Sequence, residues 1–440
     1  MGPLADPSGP ATGDPARTAG GAEQGLTERA VRPFSLVGVV WNDPDAELHG
    51  TVQVRTRALG TGRWSDWQDL ETHNAEHAAD PGTTERESAG VHGSTAPLWV
   101  GGSDGVAVRV RPGATDPHDR TAPAAPLPTG LRLELVDPGK APGEAAPAPL
   151  QTPQTPRVPE PPQTPQAPQP PRVPDLADAV GAAGSPSGVM NAVGAVGAMA
   201  DALVGRGPWD VSGVLPALGK AETEARSEAE SGRAPGAQPY IGPRPRIITR
   251  KGWGADESLR ERAFVYTKTV KAAFIHHSAT GNNYTCAEAP AVLRSIYRYH
   301  VKSSGWRDFG YNFAVDKCGN IYEGRAGGVT KPVLGAHTLG FNTDSMGIAV
   351  LGTFSDTNPS AAAVDAVARL TAWKLGLFGA DPRGRTTLVS GGGNKFKKGS
   401  KVRLNVISGH RDGFATECPG ARLYQKLGSA RTSSARLQGR

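Results

Sequence analysis

The chain has 440 residues, too many for one ordinary domain and enough for two or three. With 57 glycines and 39 prolines, a substantial part of it cannot belong to a packed core. The formal net charge of +6 is a mild basic excess. It suits an anionic polymer as partner and falls short of the basic surface that nucleic acid would demand, so nucleic acid is set aside.

Residues 1–32, rich in Gly, Ala, Pro and Asp, read as a disordered amino-terminal segment. They hold neither a basic n-region nor an apolar h-region, so an exported protein would need a signal that was removed or lies upstream, and without one it would be intracellular. From 33 to 137 the runs FSLVGVVW, TVQVRTRAL, WSDWQDL, PLWVGG, VAVRVRP and GLRLELVD are separated by turn-rich segments. TVQVRTR and VAVRVR alternate apolar and polar positions, the period of a strand with one solvated face. They predict an all-β, sandwich-like domain of unassigned role. Trp64 and Trp67 read as core residues of that domain more readily than as a platform for sugar rings.

Residues 138–240 read as a linker. QTPQ recurs at 151–154 and 163–166, and PRVP at 156–159 and 171–174. Proline at this density predicts a polyproline II spacer that rises about 3.1 Å per residue. The Ala/Gly-rich stretch from Val189 to Val204 is interrupted by Asn191 and Asp201 and is too short to span a bilayer, so no transmembrane segment is expected.

Residues 241–430 read as an α/β domain with a central mixed sheet flanked by helices, and 431–440 as a tail. Thr285 and Glu288 form a capping-box pattern before a helix carrying Val292, Leu293, Ile296, Tyr297 and His300 on one face. Ser360 caps a second helix that stops near Gly379, and Pro419 opens a last one through Leu423 and Leu427. The apolar run Ala272 to Ile275, Met346 to Phe354 and Val402 to Ser408 read as strands. The basic cluster Lys395, Lys397, Lys398, Lys401 and Arg403 reads as a solvated loop.

The chemistry concentrates in IHHSAT (275–280) and GHRDGFATECPG (409–420). A catalytic zinc takes three protein ligands from His, Cys and Asp/Glu and leaves a fourth position to water. His410 and Cys418 are separated by seven residues that include Gly413, a loop able to fold back onto one ion. His276 stands where the preceding strand reaches the surface. In an extended segment His276 and His277 point to opposite faces, so one of them faces the metal and His277 reads as a packing residue.

Between these segments lie DFGYNFAVDKCGNIYEGRAGG (308–328) and GAHTLGFNTDSMGIAVLGTF (335–354). The four blocks, in this order, resemble the peptidoglycan recognition protein and N-acetylmuramoyl-L-alanine amidase family, the zinc amidases related to phage lysozyme-type amidases. The resemblance covers roughly 241–430. It implies that His276, His410 and Cys418 are zinc ligands, that Tyr311 is the catalytic tyrosine, and that Thr416, where phage-type members place a lysine and animal amidases often threonine, is a second catalytic candidate. His337 and Asn342 match groove positions for substrate. Arg325 is either a partner for a stem-peptide carboxylate or a surface ion pair. The residues that follow it, Ala326, Gly327 and Gly328, leave the choice of stem peptide unread.

The implied activity is hydrolysis of the amide between N-acetylmuramic acid and L-alanine of the stem peptide, by a secreted or cell-wall-associated zinc hydrolase acting as a monomer on peptidoglycan. The alternative is a recognition protein that binds peptidoglycan without cutting it, its metal serving structure. A structural zinc takes four protein ligands, and the sequence shows no fourth candidate stronger than His277. With Cys418 assigned to zinc, Cys286 and Cys318 remain as a disulfide pair or as two buried thiols.

Overall fold

The computed structural model describes residues 23–114, 123–141, 213–232 and 240–440. The proline-rich tract, the Ala/Gly-rich stretch and residues 1–22 lie outside the described residues.

In the amino-terminal part, β1 (Gln24–Trp41), β2 (Gly50–Ala58), β3 (Gln68–Leu70), β4 (Gly93–Ser94), β5 (Leu98–Pro112) and β6 (Arg132–Val136) form one antiparallel six-stranded sheet. The strand β1 is long enough to pair twice. It runs along β5 from Gln24 opposite Val110 to Val37 opposite Leu98, and it takes β6 on its other edge from Leu36 to Val40. Register shifts between Leu26 and Leu36 mark bulges, which bend a strand and raise its twist. The all-β expectation is met. The hydrogen bonds run continuously through the sheet, β1 pairing with β4, β5 and β6, β5 with β2, and β2 with β3. Strand structure also begins at Gln24, inside the segment expected to be disordered, where Leu26 packs against the domain core.

Alternation along β1 divides its side chains between two cores. Val37, Val39 and Trp41 turn inward with Val52, Val54 and Leu133. Leu36 and Val40 turn outward and are nonetheless fully buried, packing with Trp99 and Val136 against Trp253, Ile296 and Tyr299 of the carboxy-terminal part. Trp64 and Trp67 are not in either core. They are half-buried beneath arginines, with Arg55 5.4 Å from the Trp64 ring and Arg109 4.1 Å from the Trp67 ring.

The carboxy-terminal part runs β7 (Val214–Leu215), α1 (Lys220–Ser231), β8 (Ile247–Ile248), α2 (Arg250–Trp253), β9 (Ala272–His277), α3 (Ala289–Arg298), β10 (Phe313–Val315), β11 (Ile321–Glu323), β12 (Ser345–Val350) and α4 (Ala361–Gly376), followed by β13 (Arg385–Val389), β14 (Lys401–Asn405), β15 (Ile407–Gly409), α5 (His410–Gly413), α6 (Ala421–Tyr424) and α7 (Leu427–Gln438). Its seven-stranded sheet has the order β15-β9-β12-β10-β11-β8-β7 and is mixed. The strands β15, β9, β12 and β10 are parallel, while β11 reverses against β10. Ile275, Ile348, Val350, Phe313 and Ile407 from the sheet share a core with Val367, Leu370 and Trp373 of α4.

The caps follow the residues. Ser360 Oγ accepts from the Ala363 N–H to start α4, as an N-cap serine should. Glu288 accepts from the Thr285 N–H and hydroxyl, tying down the turn before α3. Two edges differ from expectation. Residues 213–232 are part of this unit and not of a linker: β7 pairs with β8, and Lys220 Nζ donates to the Ile241 and Gln438 carbonyls. The expected tail is also helix, since α7 continues to Gln438, whose amide donates to the Ala372 carbonyl on α4. Cys286 and Cys318 are joined as a disulfide and Cys418 is free and buried. All described residues fall in one compact unit, and among them no helix is long and apolar enough to cross a membrane.

Candidate metal centre and its cleft

Parallel pairing of β9 with β12 and β15 carries His276 and the start of α5 to the same end of the sheet. His410 opens α5, and the Arg411 N–H donates to the Cys418 carbonyl at 3.0 Å, which closes the loop between those two residues. His276, His410 and Cys418 therefore meet. Cys418 Sγ lies 3.7 Å from His276 Nδ1, and the His276 and His410 rings are 4.6 Å apart. The other nitrogen of His276 is 3.4 Å from the Thr338 hydroxyl, which sets the ring's orientation. His277, on the opposite side of β9, points instead toward Glu71, its Nε2 3.6 Å from that carboxylate.

A fourth residue joins the cluster from the other domain. His77, in a single 3₁₀ turn at Ala75–His77, puts its ring 4.6 Å from His410 and 5.4 Å from His276. One ligand atom from each of His77, His276, His410 and Cys418 lies within 4.8 Å of the others, and all four residues are buried. His277 is thus not the fourth member. Sequence reading missed His77 because THNAEHAAD carries only the marks of a polar loop. The one available signal is that this segment between β3 and β4 is much longer than a hairpin turn requires.

The donor set fits zinc. Tetrahedral bonds of about 2.3 Å to sulfur and 2.0 Å to nitrogen place neighbouring ligand atoms roughly 3.5 Å apart, close to the 3.7 Å found here. The ring nitrogens of His77 and of His410 are buried without a close hydrogen-bond partner, a costly arrangement that an ion would relieve at one nitrogen of each ring. Burial lowers His77 to about 3 and holds His276 and His410 well below their ordinary range, so the imidazoles are neutral and able to ligate. Burial also pushes the Cys418 thiol well above its usual value, and a coordinated cation is what would keep it a thiolate.

Around this cluster lie the remaining expected residues. Tyr311 is buried with its ring 5.2 Å from that of His276, and burial raises its phenol well above the ordinary range, so it stays protonated. It is positioned by the neighbouring Gly310, whose N–H donates to His300 Nδ1, and the His300 ring stacks on Trp306 at 4.4 Å. His337 lies under His276, ring centroids 5.4 Å apart, with its nitrogens facing the Thr338 and Ser345 hydroxyls. Thr416 donates its hydroxyl to Glu76 at 2.9 Å and accepts from the Cys418 N–H.

Arg325 and Asn342 face the amino-terminal domain. Arg325 donates from both terminal nitrogens to Glu85, at 2.7 and 2.8 Å, and from Nε to the Phe309 carbonyl. The ion-pair reading of Arg325 is correct in kind, but the pair is buried instead of lying on the surface. Asp308 shapes this loop by accepting from the Ala326 N–H and by pairing with Arg250. Asn342 uses its oxygen for the His337 and Thr338 N–H groups and its amide for Asp80 and the Ala78 carbonyl. An open cleft of about 630 Å³ remains beside the cluster, lined by Glu71, His73, Lys395, Arg411, Phe414 and Thr416 among others.

A family model described as N-acetylmuramoyl-L-alanine amidase matches residues 266–421, and one described as Rv3811 N-terminal galactose-binding domain-like matches residues 3–129. Peptidoglycan-recognition protein SC2 of Drosophila simulans is 32% identical over 183 residues, covering 41% of this chain and 84% of that relative. The chain belongs to the peptidoglycan-recognition protein and N-acetylmuramoyl-L-alanine amidase family. Within this family the N-acetylmuramoyl-L-alanine amidase of Homo sapiens is 31% identical over 188 residues, covering 42% of this chain and 28% of that protein. Among solved structures Drosophila PGRP-LB is 26% identical with a TM-score of 0.33, covering 42% of this chain and 92% of that one. The cluster draws on both matched regions of this family member: the amidase match spans His276, His410 and Cys418, and the amino-terminal match spans His77.

Proposed function

We propose that this chain is a zinc-dependent amidase that hydrolyses the amide between N-acetylmuramic acid and the L-alanine of the stem peptide in peptidoglycan. The observation that carries the reading is the convergence of His276, His410 and Cys418 on one point, with the protonated Tyr311 beside it.

His276, His410 and Cys418 would hold the ion. Zinc in such a site supplies a nucleophile at neutral pH and polarises the scissile carbonyl. The Tyr311 hydroxyl would donate to the oxygen on which charge develops, in a site dry enough for that hydrogen bond to be strong. Thr338 holds the His276 ring, and Thr416 steadies the Cys418 loop through its backbone. Arg325 would take a carboxylate of the stem peptide, for which its planar fork is suited, while His337 and Asn342 support the groove wall. The Cys286–Cys318 disulfide supports an exported, wall-associated enzyme, since disulfides persist in oxidising compartments.

A second reading has one observation behind it. His77 brings the protein ligands to four, the number of a structural zinc, which fits a recognition protein that binds the wall without cutting. Prolonged digestion of purified peptidoglycan with the full chain, with and without chelator, separates the two. Chelator-sensitive release of L-alanine amino termini without new reducing ends supports the amidase. Retention on the glycan with no release at all supports recognition.

A further inference from the structure

Groups just read as an amidase site are engaged by the chain's own amino-terminal domain, although an open cleft remains beside them. The segment from Glu71 to His92 sends side chains to several of the groups expected to act. His77 enters the ligand cluster, Glu76 takes the Thr416 hydroxyl, Asp80 takes the Asn342 amide and the Gly340 N–H, and Glu85 takes Arg325. The Leu339 N–H donates to the Glu76 carbonyl, so the groove wall is engaged by backbone as well.

We propose that His77 is a fourth metal ligand supplied by the amino-terminal domain, and that His77 and the Glu85 carboxylate together close the site to muramyl peptide until that domain moves away. The inference rests on the amidase reading for its consequence, but not for its geometry. A zinc amidase needs one position open to water, and four protein ligands leave none. Glu85 offers Arg325 the same bidentate carboxylate that a stem peptide would offer, so plug and substrate compete for one fork. A purely structural metal would explain His77. It would not explain why Glu76, Asp80 and Glu85 fall on separate groove groups.

The closed form is held at a distance from the cleft. Leu36, Val40, Trp99 and Val136 bury apolar surface against α3 and its surroundings, and the Tyr299 hydroxyl donates toward the Thr95 and Val39 carbonyls at 3.0 and 3.3 Å. Gly38 lies against that ring. A Cβ there would stand 2.4 Å from Tyr299 Oη and 2.5 Å from its Cε2, so no larger residue fits while the domains are docked. Gly38→Val is therefore a wedge that touches no group of the site, and valine suits the β1 strand.

An open form populated on the order of 1% would lower the apparent affinity for muramyl peptide about a hundredfold. The test uses the full chain loaded with cobalt(II), whose visible spectrum reports the ligand set, titrated with azide, together with calorimetric titration of muramyl tripeptide. The wild-type spectrum should not respond to azide. Gly38→Val and His77→Ala should both respond, and Gly38→Val, which displaces Glu85 as well, should bind muramyl tripeptide at least about tenfold more tightly. A wild-type spectrum that shifts with azide as fully as those of the variants, or equal tripeptide affinities in wild type and Gly38→Val, overturns the proposal. If the spectra and affinities behave as expected but none of the proteins frees L-alanine termini, the closure stands and the amidase reading falls.

Discussion

Glu85 and Arg325 meet through both carboxylate oxygens and both terminal guanidinium nitrogens, at a point where the two side chains are almost wholly buried. Burial alone would raise the Glu85 carboxyl, but the charge and hydrogen bonds of Arg325 outweigh this and hold it below its usual range. Removing one partner of such a pair strands the other charge, at a cost of about 3 to 5 kcal/mol. Glu85→Ala should therefore lower the urea-unfolding free energy of the full chain by about that amount, and an unchanged midpoint would show that the pair adds nothing to docking.

Cys418→Ala should remove metal and cleavage together while far-ultraviolet circular dichroism stays close to wild type, because a buried alanine fits where the sulfur sat. Metal content by atomic absorption and L-alanine release are the two readouts. Full cleavage by the variant would rule out a role for this thiolate.

Tyr311→Phe should keep the metal and the muramyl peptide affinity and lose about a hundredfold to a thousandfold in kcat, the usual effect of deleting one donor to a developing oxyanion. The test is single-turnover cleavage in the Gly38→Val background. A loss confined to KM would move Tyr311 from catalysis to binding.

Lys374 should give the stability a pH slope. Its ammonium is buried under α4, donating to the Val329 and Lys331 carbonyls, and burial, with Lys331 nearby, lowers it to about 7. Between there and the ordinary lysine range the unfolded chain binds a proton that the folded chain lacks, so stability rises as pH increases through this window. The buried tyrosines, held above their usual range, oppose this only at higher pH. Lys374→Met should flatten the rise between about pH 7 and 10 in urea titrations. An identical slope in the variant would remove Lys374 as its source.

Reduction of Cys286–Cys318, which closes a loop of 32 residues, should destabilise the carboxy-terminal part by about 3 to 4 kcal/mol. The double variant Cys286→Ser/Cys318→Ser, measured by urea unfolding, reads the same quantity without touching Cys418.

The carboxy-terminal fold and the ligand trio were legible because their signals are local. An apolar run ending in His276, a loop bracketed by His410 and Cys418, and a serine cap at Ser360 each declare themselves within a few residues. What escaped was set by distant contacts. Nothing near His77 shows that its ring will meet His410, and nothing in YEGR shows that Arg325 will be claimed by Glu85. The segment 213–232 resembles linker because α1 is polar, and the pairing of β7 with β8 and the reach of Lys220 to Ile241 and Gln438 show that it is packed. Trp64 and Trp67 suggested core by residue type alone, whereas Arg55 and Arg109 cover them on the sheet's polar face.

The central claim is that the His276, His410 and Cys418 cluster is a metal-dependent amidase centre. It is tested most directly by digesting purified peptidoglycan with the full chain carrying Gly38→Val, scoring new L-alanine amino termini against new reducing sugar ends before chelation, after it, and after zinc is restored. L-alanine termini alone should appear, lost with chelator and recovered with zinc. Release that ignores the chelator, or no release from a chain whose cleft is open to azide, would contradict it.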